Sequence, residues 1–140
     1  GMSCVGKTTF AGLMKDHEYF CFDYMFNWNL VETLGLSIDS CLKYISGVCS
    51  IHPKFVLDGW NLADKECEFV PDDTTIYVLY DDYDSIINRY RVDVDDRLQH
   101  KVMYDKWYDL KINLPIRYFK NGNSFCEMNQ EHFSKCVKHF

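Results

Sequence analysis

The chain has 140 residues, of which 47% are hydrophobic and 16% aromatic, with three prolines and seven glycines. This composition fits one globular domain and excludes a disordered, collagen-like or low-complexity chain. The formal net charge of −6 disfavours a long nucleic-acid-binding surface, because most of the protein would repel a phosphate backbone. An anionic ligand is therefore expected at a small, concentrated positive site.

The seven cysteines are an odd number, and their spacing shows neither a C-x-x-C pair nor a histidine pair of the zinc-binding type. They are interpreted as reduced thiols, which predicts a cytoplasmic protein. No run approaches the roughly 20 apolar residues that span a bilayer, so no membrane partner is expected.

The first stretch of the chain, GMSCVGKTTF, satisfies the pattern G-x-x-x-x-G-K-[ST]. In such a loop, glycines let backbone amides turn inward around a phosphate, Lys7 reaches the outer phosphates, and the Thr8 hydroxyl can ligate magnesium. A chance match is the alternative, but a helix-like segment follows directly, as this loop requires. The predicted nucleotide contacts come from Gly1, Ser3, Cys4, Val5, Gly6, Lys7, Thr8 and Thr9.

A loop of this kind connects a buried strand to a helix, and no strand residues precede Gly1 in the sequence. The chain is therefore expected to lack the first, central strand of its sheet, either as an N-terminally truncated fragment or because the strand is supplied otherwise. A sheet with a gap or an exposed edge beside the loop is expected, together with marginal stability.

Apolar runs and helix-like segments alternate along the rest of the chain. The runs are nearly continuous, which is typical of strands covered on both faces, and lie at 19–24, 54–60, 75–81 and 115–120. The helix-like segments lie at 7–15, 29–48 (as a pair), 82–91, 99–111 and 131–140. This alternation predicts a single α/β domain with three layers, α/β/α, and a mainly parallel sheet.

Two aspartates follow predicted strands, at the edge where open α/β sheets bind ligands. Asp58 ends the run KFVLD and is the candidate for the water shell of magnesium, with an Asp-Gly turn as the alternative. Asp23 ends YFCFD and is the candidate carboxylate that orients an acceptor hydroxyl and takes its proton. For Asp23 the alternative is a helix cap or turn near Asn27.

Three of the four arginines, Arg89, Arg91 and Arg97, follow the third predicted strand. Clustered arginines can clamp a transferring phosphoryl group, whereas pairing with aspartates on a solvated helix face is the alternative. Arg89 and Arg91 are the preferred catalytic candidates. Trp28 and Trp60 are weak candidates for stacking on a base or sugar, since core packing is the commoner role of such residues.

Five segments of the chain, taken in order, resemble the P-loop nucleoside and nucleotide kinase group. They are GMSCVGKTTFAGLM, FCFDY, FVLDGW, IYVLYDDYDSIINRYR and PIRYFKNGN. That group includes adenylate-kinase-like enzymes, small-metabolite kinases and polynucleotide 5′-kinases. The resemblance implies a five-stranded parallel sheet in the order 2-3-1-4-5 and the cofactors ATP, or GTP, and Mg²⁺.

By the same resemblance, Asp23 matches the acidic position that engages the acceptor hydroxyl, and Asp58 matches the acidic site after the third strand of the group. Arg89 and Arg91 match the start of a lid, here short and near 88–98. Asn121 and Gly122 would lie near the adenine.

Adenylate-type enzymes carry phenylalanine, proline and arginine after their Asp-Gly, where this chain has Trp60, Asn61 and Leu62. In those enzymes the arginine binds a substrate phosphate. Its absence here favours phosphorylation of a neutral hydroxyl on a nucleoside or another small metabolite. A nucleic-acid 5′ end is a further acceptor, disfavoured by the acidic charge. The alternative is a non-catalytic nucleotide-binding or NTPase module that acts with a partner.

Overall fold

A computed structural model describes residues 5–58, 69–90 and 114–138 of the chain. The described residues form a mixed α/β structure, which confirms the predicted class, with two small sheets rather than one continuous sheet. The chain divides into two compact units, which we call the Asp58 unit (Thr8–Asp73) and the Asn121 unit (Gly1–Lys7 with Thr74–Phe140). The prediction of a single domain stays a prediction.

The Asp58 unit contains a two-stranded parallel sheet. Its elements are α1 (Lys7–Ala11), β1 (Glu18–Cys21), α2 (Phe22–Met25), α3 (Trp28–Thr33), α4 (Ile38–Ser50) and β2 (Phe55–Asp58). Tyr19 lies opposite Val56, and Cys21 lies opposite Asp58. Because side chains alternate along a strand, these four residues share one face of the sheet.

The other face of this sheet packs against α4. Leu42, Ile45 and Cys49 are buried on one side of α4, at helical spacing, and Phe55 and Leu57 of β2 pack against them. Burial raises the pKa of the Cys49 thiol. The apolar stripe of α4 therefore covers one face of β2 and leaves the Asp58 face to other contacts.

Local sequence sets the ends of the helices in this unit. Gly35 has φ +63° after α3, and the amides of Gly35 and Leu36 donate to the carbonyls of Glu32 and Val31, as in a Schellman motif. The hydroxyl of Ser37 then accepts from the amide of Ser40 at 3.2 Å and caps the start of α4. These caps separate the predicted helical pair into two helices.

The Asn121 unit contains a mixed three-stranded sheet. Its elements are β3 (Ile76–Tyr80), α5 (Tyr83–Tyr90), β4 (Ile116–Lys120), β5 (Cys126–Met128) and α6 (Gln130–Lys138). β3 and β4 pair in parallel, whereas β4 and β5 pair antiparallel. The strand β5 was not predicted, because it is only three residues long and follows a polar turn.

The core of this unit lies where α6 meets the sheet. Phe133 of α6 is buried and stacks on the ring of Tyr118 of β4 at a centroid distance of 4.3 Å. It also meets Tyr80 of β3 edge-on at 6.2 Å. The aromatic residues of β3 and β4 thus anchor the C-terminal helix. The predicted helix 99–111 lies outside the described residues.

One exposed ion pair joins β4 and β5. Arg117 donates from Nε and Nη2 to the two carboxylate oxygens of Glu127, at 2.7 and 2.8 Å. These hydrogen bonds hold the pKa of Glu127 below its ordinary value.

Glu127→Gln is expected to remove a contribution to the free energy of unfolding that is present at neutral pH and lost in acid. Because the folded pKa of Glu127 is the lower one, its pairing stabilises the fold above about pH 4.5 and the contribution is lost as pH falls through the folded pKa. The free energy of unfolding of the parent should therefore exceed that of the variant at pH 6 and approach it near pH 3, in urea titrations. Glu32→Gln, at an exposed position of α3, is the matched control. If the free energy of unfolding of Glu127→Gln differed from that of the parent by the same amount at pH 6 and pH 3, the prediction would be contradicted.

Among the described residues, no helix has both the length and the apolar character that crossing a membrane requires.

Candidate functional site

The Asp58 cluster is a carboxylate that receives two hydroxyl groups. Thr8 Oγ1 donates to Asp58 Oδ2 at 2.7 Å, and the Tyr19 hydroxyl donates to the same oxygen at 2.9 Å. Asp58 is 7% exposed, whereas Thr8 is exposed. A buried negative charge therefore lies directly beside the last residue of the G-x-x-x-x-G-K-T motif.

Three elements bring these side chains together. Asp58 is the last residue of β2, and Tyr19 lies on the neighbouring strand on the same face. Thr8 lies in the first turn of α1, where its carbonyl accepts from the amide of Gly12 at 3.0 Å. The structure thus brings Thr8 and Asp58, the two residues named as metal-site candidates from the sequence, within hydrogen-bond distance of each other.

Proton positions in this cluster determine what it can bind. A hydroxyl that donates its proton to a carboxylate keeps its oxygen lone pairs for a second partner, such as a cation. Burial, followed by the hydrogen bond to Asp58, raises the pKa of Tyr19, so Tyr19 remains a donor at neutral pH. Thr8 therefore presents an oxygen atom that a hard cation can approach.

In the described part of the chain, no three histidine, cysteine, aspartate or glutamate side chains gather as a metal site. A cage built only from protein ligands is therefore not the arrangement seen around Asp58. Magnesium in phosphate-binding sites is usually held by one or two protein oxygens, with water and phosphate completing the shell. The exposed Thr8 oxygen backed by Asp58 fits that simpler requirement.

The Asn121 cluster fixes the loop residues that precede Lys7. The side-chain amide of Asn121 donates from Nδ2 to the carbonyl of Val5 at 2.9 Å, and its backbone amide donates to the carbonyl of Tyr80 at 2.8 Å. Val5 is completely buried. The turn after β4 therefore holds the backbone of the glycine-rich loop, a contact between residues 116 positions apart.

Gly6 leaves no room for a side chain in this cluster. Its φ is +100°, which L-residues rarely adopt. A Cβ at this position would lie 2.7 Å from Asn121 Nδ2 and 3.3 Å from Phe125 Cζ. The second glycine of the motif is thus required both by backbone conformation and by the close approach of Asn121.

Other predicted site residues are placed as follows. Lys7 is half-buried at the start of α1, Thr9 is exposed in the same helix, and Gly122 is exposed in the turn after β4. Trp28 packs against Phe26 at a centroid distance of 5.3 Å and borders the α4 core, which favours its packing role.

The placement of Asp23 differs from the predicted strand end. β1 stops at Cys21, and Asp23 lies in the one-turn helix α2. Arg89 lies in the last turn of α5. The side chains of these two residues are not among those described, and Gly1, Ser3, Cys4, Trp60 and Arg91 lie outside the described residues.

Two residues near these clusters escaped sequence reasoning. The sequence pattern indicates only that Tyr19 lies in a strand, whereas the strand register brings it beside Asp58. Asp81 is 3% exposed directly after β3, and its Oδ1 accepts from the amide of Asp82 at 2.8 Å. The signal that selected Asp58, an aspartate at the carboxyl end of an apolar run, would also have selected Asp81.

Comparison with protein-family models, with curated proteins and with solved structures gives no match.

Proposed function

We propose that the protein is an ATP-dependent, Mg²⁺-requiring kinase of the P-loop type that transfers the γ-phosphoryl group to a hydroxyl acceptor. The observation that carries the proposal is the hydrogen bond from Thr8 to Asp58, which joins residues 50 positions apart. A chance match to the motif gives no reason for its last hydroxyl to meet a buried carboxylate at a strand end. Phosphate-loop chemistry requires that meeting, because the hydroxyl and the acid act on the same metal ion.

The strand pairings support the proposed architecture. In the order 2-3-1-4-5, strands two and three are neighbours, as are strands four and five. β1 to β4 correspond to strands two to five, and the two parallel pairs observed are β1 with β2 and β3 with β4. The antiparallel β5 is an addition to that arrangement.

The backbone at Gly6 also supports a phosphate loop. A loop that turns its amides toward a phosphate needs residues with positive φ, and Gly6 has that conformation. Anchoring of Val5 by Asn121 holds this part of the loop in one conformation before any ligand arrives. A preorganised loop binds with a smaller loss of conformational entropy.

Each chemical role is proposed for a residue of this chain. Lys7 would contact the outer phosphates, Thr8 would provide an oxygen ligand to Mg²⁺, and Asp58 would accept hydrogen bonds from water ligands of that ion. When bound with ATP, Mg²⁺ neutralises charge on the β- and γ-phosphates. Asp23 is proposed to take the proton of the acceptor hydroxyl, and Arg89 and Arg91 to stabilise the transferred charge.

The proposed acceptor is a neutral hydroxyl on a nucleoside, another small metabolite or, less favoured, a nucleic-acid 5′ end. The proposal is tested by calorimetric titration with ATP and GTP, with Mg²⁺ or with EDTA, followed by an ATP-consumption screen over nucleosides, sugars and 5′-hydroxyl oligonucleotides. Binding strengthened by Mg²⁺ and turnover with one acceptor class are expected. Lys7→Ala should lose both, whereas Lys43→Ala, at an exposed position of α4, should keep both.

Failure of the parent protein to bind any nucleoside triphosphate would contradict the proposal. Nucleotide binding without turnover across the acceptor panel would instead favour the alternative, a non-catalytic module that acts with a partner.

A further inference from the structure

Tyr19 carries an interaction that core packing does not explain. The residue is 44% exposed, so a large part of its surface lies outside the packed interior. Its hydroxyl nevertheless donates at 2.9 Å to Asp58, which is 7% exposed. The polar end of an exposed side chain thus points inward to a buried charge.

Strand register explains how Tyr19 reaches this carboxylate. Tyr19 lies opposite Val56, two residues before Asp58 along β2. Two residues of a parallel strand span about 6.6 Å, a distance that the long side chain of tyrosine covers along the sheet. Phenylalanine at this position would keep the ring and lose the donor, while serine or threonine would be too short.

Both hydroxyls act on a single carboxylate oxygen. Thr8 and Tyr19 donate to Asp58 Oδ2, at 2.7 and 2.9 Å. A carboxylate held by one donor can still turn about its terminal torsion, which is broad in energy, whereas a second donor to the same oxygen restricts that rotation further. The Tyr19 hydrogen bond therefore fixes the orientation in which Asp58 accepts the hydrogen bond from Thr8.

We propose that Tyr19 is a positioning residue for the magnesium site: it holds Asp58 so that the Thr8 hydroxyl donates inward and its oxygen lone pairs face the metal ion. This inference rests on the proposed kinase function. Tyr19 acts through Asp58 and Thr8 and does not itself contact nucleotide or metal. Partners that orient the groups around a metal ion commonly change metal affinity about tenfold or more when they are removed.

The inference is tested with Tyr19→Phe, compared with the parent and with Tyr44→Phe, at a tyrosine that is 60% exposed on α4. ATP affinity is measured by titration calorimetry in EDTA and in Mg²⁺, and the ratio of the two affinities is the readout. Tyr19→Phe should leave the affinity in EDTA within about twofold of the parent and reduce the Mg²⁺-dependent gain about tenfold. Tyr44→Phe should match the parent in both conditions.

A merely structural role would give a different pattern. It would lower the unfolding midpoint and weaken binding equally with and without Mg²⁺, whereas a positioning role should shift the midpoint by no more than about 4 °C. In an Asp58→Ala background, which removes the acceptor of the Tyr19 hydroxyl, Tyr19→Phe should have no further effect on the Mg²⁺-dependent gain. An additional loss of similar size there would overturn the assignment to Asp58.

The outcomes separate this inference from the proposed function. If the parent binds ATP more tightly with Mg²⁺ and Tyr19→Phe shows the same gain, the positioning role is overturned and the proposed function stands. If the parent binds no ATP, both are overturned.

Discussion

The Gly6→Ala variant is expected to lose ATP binding and about 2–4 kcal/mol of folding free energy. Two separate effects combine. The backbone at φ +100° disfavours any residue with a Cβ, and the new atom would lie 2.7 Å from Asn121 Nδ2. Asn121 must shift its side chain to relieve that clash, and the shift weakens its hydrogen bond to the carbonyl of Val5. Urea unfolding and ATP titration measure the two losses.

A second glycine gives a matched control for Gly6→Ala. Gly47 lies inside α4, and a Cβ added there meets nothing within 4 Å. Gly47→Ala should therefore stabilise the protein by about 0.5–1 kcal/mol and leave ATP affinity unchanged.

The clash can be tested apart from the backbone effect. In an Asn121→Ala background, which removes the amide that Cβ would meet, Gly6→Ala should cost less folding free energy than in the parent. The remaining cost, about 1–2 kcal/mol, would report the unfavourable φ together with the approach to Phe125 Cζ at 3.3 Å. Equal costs in the two backgrounds would contradict a close approach of Asn121 to Gly6.

The Asp58→Asn variant is expected to lose most of the gain in ATP affinity that Mg²⁺ provides, about tenfold to a hundredfold. Asparagine keeps the shape and one acceptor oxygen, so Thr8 and Tyr19 retain a partner. It removes the charge, and a hydrogen bond to a neutral oxygen is weaker than one to a carboxylate. The change in folding free energy should stay within about 1–2 kcal/mol, since no cavity forms and no hydroxyl is left without an acceptor.

The matched control for Asp58→Asn is Asp16→Asn. Asp16 is exposed and pairs with Lys54 at 3.4 Å on the surface of the same unit. Its replacement should not alter ATP affinity with or without Mg²⁺. If Asp58→Asn also kept the full Mg²⁺-dependent gain in calorimetric titrations, the role of Asp58 at the metal site would be contradicted.

Apolar runs predicted the four longer strands because those strands need continuous apolar surface. FVLD and IYVLY, for example, lie within the predicted runs and form β2 and β3. Short or polar segments carry no such signal. The helix α2 and the strand β5 have four and three residues, too few for any periodicity to be visible.

Only those residues of the candidate site that a local sequence signal marks could be predicted. Thr8 and Asp58 were each selected because motif spacing and strand ends constrain them locally. The bonds from Tyr19 to Asp58 and from Asn121 to Val5 depend on strand register and on the packing of distant segments. Composition and motif spacing do not specify strand register or the packing of distant segments. The supporting roles of Tyr19 and Asn121 are therefore visible only in the three-dimensional structure.

The double anchoring of Asn121 has an evolutionary consequence for the proposed kinase. Its backbone amide is tied to Tyr80 and its side chain to Val5, so it cannot be exchanged for a base-reading residue without loosening the loop. Under the proposed function, substitutions that change nucleotide preference are expected at other positions, such as the exposed Gly122, Asn123 and Ser124, while this asparagine is kept.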